Sequence, residues 1–61
     1  MSDFIVGDRV YDLKLFRLTG TYVRGTVVGE QIDRMGAYVE WDCDPGTVDF
    51  MFDDELADWI D

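Results

Sequence analysis

Residues 37–52 read AYVEWDCDPGTVDFMF, and this stretch decides the fold class. From 37 to 42 apolar and polar residues alternate: Ala37, Val39 and Trp41 fall on one face, and Tyr38, Glu40 and Asp42 on the other. That period of two belongs to a half-buried β-strand. From 47 to 52 the alternation recurs, which places Val48, Phe50 and Phe52 inward and Asp49 outward. Asp44-Pro45-Gly46 stands between the runs. Proline presets φ at one turn position and glycine supplies freedom at the next, so two strands joined by a tight hairpin are predicted.

Working outward, residues 21–30 (TYVRGTVVGE) form the longest β run, and Gly25 and Gly29 within it mark bending or close backbone approach. Residues 31–36 link this run to the next strand, with Gly36 able to take positive φ. Residues 8–12 (DRVYD) read as a short first strand opened by Gly7. Between them, residues 13–20 (LKLFRLTG) read as a loop with apolar Leu13, Leu15, Phe16 and Leu18, some of which fold back as a lid on the core. Arg24 is placed to pair with Glu40 across strands.

At the C-terminal end, Phe52, Leu56, Trp59 and Ile60 fall at i, i+4, i+7 and i+8, the spacing of an amphipathic helix that docks in a partner's groove. The alternative is a helical turn over 53–55 followed by a closing strand within 56–60. We adopt the second, because a chain this short needs those apolar residues in its core. The reading is therefore all-β and covers residues 1–61 as a single domain. Stability of roughly 3–5 kcal/mol is expected at this length.

Gly7-Asp8-Arg9-Val10, then Gly25-Thr26-Val27-Val28, then Tyr38-Val39-Glu40-Trp41-Asp42, and Phe52 with Asp54-Glu55-Leu56 resemble the small SH3-like barrels of the Tudor and KOW kind, over roughly residues 7–60. The resemblance implies a five-stranded SH3-like barrel with a short helical turn before the last strand, and a bacterial or phage protein. Tudor-type cages that hold a cation would draw on Tyr11, Tyr22, Tyr38 and Trp41, although Trp41 belongs to the inward set. KOW domains that touch RNA are basic. This chain is the reverse.

Charge divides the sequence in two. Residues 1–34 hold five bases and five acids, whereas from Met35 onward there are nine acids and no Lys or Arg, giving a net charge of −9. Such asymmetry speaks to partners rather than to fold. It disfavours direct nucleic-acid binding, which relies on Lys and Arg displacing counterions. Asp42, Asp44, Asp49, Asp53, Asp54, Glu55 and Asp58 are the candidate partner-binding acids. Closely spaced carboxylates can imitate duplex phosphates and occupy the basic surface of a nucleic-acid-binding protein, and a phage-encoded inhibitor of a host protein is the specific form of that reading. The plain alternative is a solvated acidic face that maintains solubility. A different class of reading is a structural or accessory domain that self-assembles or docks through exposed Phe16, Tyr22, Tyr38 and Trp59. Head-to-tail association, in which arginines of one copy meet acids of another, is a third way to use the same charges.

Catalysis finds little support. There is no histidine, Ser2 is the only serine, and Cys43 is the only cysteine, with neither a histidine nor a second thiol to activate it. The segment Asp42-Cys43-Asp44-Pro45-Gly46 departs from a calcium loop in the position of its glycine and lacks the bidentate Glu, so a hairpin turn accounts for it. We expect no enzyme, no metal and no cofactor. A reducing cytoplasm is the expected location, and no run approaches the ~18 apolar residues of a membrane span.

Overall fold

In the computed structural model, which describes residues 4–30 and 35–60, the alternating runs become strands. The order is β1 (Arg9–Asp12), α1 (Leu13–Thr19), β2 (Arg24–Glu30), β3 (Gly36–Trp41), β4 (Val48–Phe52), a 3₁₀ turn (Asp53–Glu55) and β5 (Leu56–Asp58). The five strands make one antiparallel sheet in the order β4-β3-β2-β1-β5. The C-terminal stretch is thus the turn-and-strand alternative, and the amphipathic-helix spacing of Phe52, Leu56, Trp59 and Ile60 is not used.

Ala37, Val39 and Trp41 are buried as the β3 alternation requires, and with Phe4, Val10, Val27 and Leu56 they form the core. Gly25 opposes Trp41 and Val27 opposes Val39 across β2 and β3. The register then shifts between Val27 and Gly29, so Val28 is extruded as an exposed extra residue and Gly29 opposes Tyr38. The bend expected of the glycine-bearing run is this irregularity.

Three expectations are corrected. The lid-forming loop over 13–20 is a helix: the Asp12 side chain accepts the Leu15 N–H at 2.9 Å, and Gly20, at φ 75°, donates its N–H to Phe16 O. Leu13, Leu15 and Phe16 are half-buried, but Leu18 points to solvent. Second, the faces of β4 are the reverse of those read from its own alternation. Asp49 opposes Val39 and Met51 opposes Ala37, so these two share the core side, while Val48 and Phe52 are exposed and Phe50 opposes Tyr38 on the other side. Third, Gly36 is the buried first residue of β3 rather than a positive-φ turn residue; positive φ occurs at Gly7, Gly20 and Gly46. Gly46 sits in the Asp44-Pro45-Gly46 turn, where Thr47 N–H donates to Asp44 O. The 31–34 part of the preceding link, and Ser2, lie outside the described residues.

An acid on the core side of β4 is accommodated because it has a donor. Trp41 Nε1 donates to Asp49 Oδ2 at 3.0 Å, at the rim where Asp49 itself stays exposed. Asp49→Ala is expected to destabilise the fold by about 1 kcal/mol and Asp49→Asn by less, since an amide oxygen can still accept the indole proton. Urea denaturation followed by tryptophan fluorescence would read the difference.

Candidate protein-binding surfaces

Two ring clusters lie on the side of the sheet away from the core. In β1, Tyr11 opposes Arg24 of β2 and Ala57 of β5, and its ring meets Phe16, Tyr22 and Trp59 edge-on at 5.9, 5.1 and 6.0 Å. Phe16 stacks on Tyr22 at 4.3 Å, Tyr22 meets Trp59 at 5.2 Å, and the Arg24 guanidinium lies 5.1 Å from the Trp59 ring centroid. Helix α1, the segment before β2 and the segment after β5 are thereby tied together. The second cluster, on β3 and β4, joins Tyr38 to Phe50 at 5.5 Å and Phe50 to Phe52 at 5.1 Å.

The four aromatic candidates therefore divide. Phe16, Tyr22 and Trp59 meet, whereas Tyr38 belongs to the other cluster. Tyr11, absent from the docking set Phe16, Tyr22, Tyr38 and Trp59, joins the first cluster: it follows buried Val10 and so lies on the outer face, where α1 brings Phe16 to it. The cage set of Tyr11, Tyr22, Tyr38 and Trp41 is not assembled, with Trp41 in the core and Tyr38 on Phe50. Arg24 contacts Trp59 rather than Glu40, whose carboxylate instead accepts the Gly46 N–H at 3.0 Å.

The seven acidic candidates are spread over four elements. Asp42 and Asp44 lie in the β3–β4 connection, Asp49 on the edge strand β4, Asp53, Asp54 and Glu55 on the 3₁₀ turn, and Asp58 on β5 at the opposite edge of the sheet order. Asp42 pairs with Arg9, and Glu55 with Lys14 at 3.8 Å.

The Arg9 pair is bidentate. Arg9 Nη1 reaches Asp42 Oδ1 at 2.9 Å and Thr26 Oγ1 at 2.7 Å, and Nη2 reaches Asp42 Oδ2. These guanidinium hydrogen bonds hold the Asp42 carboxyl below its ordinary value against an opposing desolvation, with the positive charges of Arg9 and Arg24 assisting. A lowered folded value stabilises the fold above the unfolded carboxylate range, near pH 4, and that contribution disappears as the pH falls through the folded value. In Arg9→Met the Asp42 midpoint is expected to rise toward the ordinary range, as an NMR titration of its side-chain carboxyl would register.

No helix among the described residues is long and apolar enough to cross a membrane. No protein-family model, curated protein or solved structure matches the chain.

Proposed function

We propose that this chain is a non-catalytic protein-binding module whose acidic second half engages a basic surface on its partner. The observation that carries the reading is the charge distribution: nine acids follow Met35 with no base among them, and Asp44, Asp54 and Asp58 stand exposed on three different elements of the scaffold. Carboxylates left to solvent on a small β scaffold are available to a cationic surface, where they steer encounter and fix orientation. The SH3-like reading of the fold is supported by the strand order and by the helical turn before the last strand; occupation of a basic groove on a host nucleic-acid-binding protein is the most specific form of the acidic-surface reading.

The test is affinity capture from nuclease-treated bacterial lysate at low and high salt, with wild type beside Asp44/Asp54/Asp58→Lys. These positions avoid Asp49, which holds Trp41, and Asp42, which holds Arg9. A salt-labile nucleic-acid-binding protein, bound at least about tenfold more weakly by the reversed variant, is the expected result. A partner that resists salt and is retained by the variant would overturn the reading.

A second reading draws on the gathering of Phe16, Tyr22 and Trp59. Tyr22 is half exposed at the rim of that cluster, so docking through it would tolerate salt and weaken in Tyr22→Ala.

A further inference from the structure

Helix α1 faces the end of β4 and the 3₁₀ turn across an open groove of about 500 Å³, lined by Lys14, Arg17, Leu18, Phe52, Asp54 and Glu55. Lys14, Arg17 and Leu18 are spaced i, i+3 and i+4, so one face of the helix supplies one wall. The opposite wall is pinned by Glu55, whose Oε1 accepts the Phe52 N–H at 3.1 Å and whose Oε2 lies 3.8 Å from Lys14 Nζ. Arg17 and Asp54 have no ion-pair partner among the described residues. Leu18 and Phe52 are 75% and 50% exposed, two large apolar side chains left to water in the same groove.

The walls differ in sign, and this restricts the occupant. A uniformly basic surface would meet Lys14 and Arg17, and a phosphate backbone would meet Asp54 and Glu55. Each is repelled by one wall. We propose that the groove binds an extended segment of a partner protein in which one large apolar side chain is flanked by an acidic and a basic residue. The apolar side chain lies between Leu18 and Phe52, the acid meets Arg17 and the base meets Asp54. The volume falls within the range of sites that enclose a small ligand or a few residues. This contact shares Asp54 and Glu55 with the acidic-surface reading but does not depend on it.

The experiment is an NMR titration of the isotope-labelled full chain with blocked pentapeptides GELKG and GKLEG, against GKLKG, GELEG and GEGKG. At least one of the two dipolar peptides should shift amides at residues 14–18 and 52–55 and bind about tenfold more tightly than each of the three controls. Arg17→Glu should reverse the preference toward GKLKG. Leu18→Ser, at a position too exposed to affect folding, should reduce dipolar binding to the level of GEGKG. Equal or tighter binding of GKLKG by wild type would overturn the proposal, because the groove would then respond to negative charge alone. Shifts spread over the acidic surface without the groove would also overturn it. So would peptide-independent, concentration-dependent shifts at the same residues, which would assign the groove to a second copy.

Discussion

Gly25→Ala is expected to destabilise the fold by about 2–3 kcal/mol, most of the stability available to a chain of this size. A Cβ at this position would lie 2.7 Å from Val39 Cγ1, 2.8 Å from Glu40 O and 2.8 Å from Trp41 Cε3. Relief by movement is blocked on both sides, since Gly25 is paired with Val10 of β1 and with Trp41 of β3, and one obstruction is itself backbone. The opposing benefit of alanine, a less flexible unfolded chain, is only about 0.4–1 kcal/mol. The melting temperature should fall by about 10–20 °C. Gly29 is the control. Its Cβ would sit 3.4 Å from Tyr38 Cδ2, at the near limit of ordinary contact, so Gly29→Ala should be nearly neutral. Equal effects of the two substitutions in thermal melts would show that strand glycines act through backbone propensity and not through the close approach of β3.

The contrast between β3 and β4 shows how far the sequence carries the fold. In β3 the alternation of Ala37, Val39 and Trp41 agrees with the register, so both strand and face were legible. In β4 the local pattern gave the strand but inverted its faces. Register across a hairpin is set by the connection, and residues 42–47 bring Asp49 opposite Val39, which forces the core side onto Asp49 and Met51. The three apolar residues at 48, 50 and 52 then continue the outer row begun by Tyr38. Helix α1 was hidden for a different reason. Seven residues are too few for periodicity to stand out, yet Asp12 before them and Gly20 after them were both visible as caps. The same helix decides the binding surfaces. The aromatic cluster takes members from β1, α1 and the segments flanking β2 and β5, and the groove takes members from α1, β4 and the 3₁₀ turn. Neither grouping has a signature in any one segment. The acid excess, which depends on composition alone, was fully legible, but its division among hairpin, edges and turn was not.

Tyr11→Ala carries the other large expected effect, because one ring links the helix to the sheet. Tyr11 makes edge contacts with Phe16 of α1, with Tyr22 and with Trp59. Each such contact is worth about 0.5–1.5 kcal/mol beyond the area it buries, so removing three should cost about 2–4 kcal/mol. Tyr11→Phe keeps every ring contact and should stay within about 0.5 kcal/mol of wild type. The loss in Tyr11→Ala should fall first on α1. An isolated helix of seven residues cannot sustain itself in water, and this one is held by its caps, its rings and the Lys14–Glu55 pair, which is too exposed to contribute much. Hydrogen exchange should therefore show the amides of α1 losing protection before those of β2 and β3. Retained protection in Tyr11→Ala would mean that Phe16 and Tyr22 secure the helix without β1. Because α1 supplies Lys14, Arg17 and Leu18, its melting would also abolish dipolar-peptide binding in a variant whose altered side chain does not line the groove. Tyr11→Phe should bind as wild type does, which ties that loss to the ring contacts rather than to the hydroxyl.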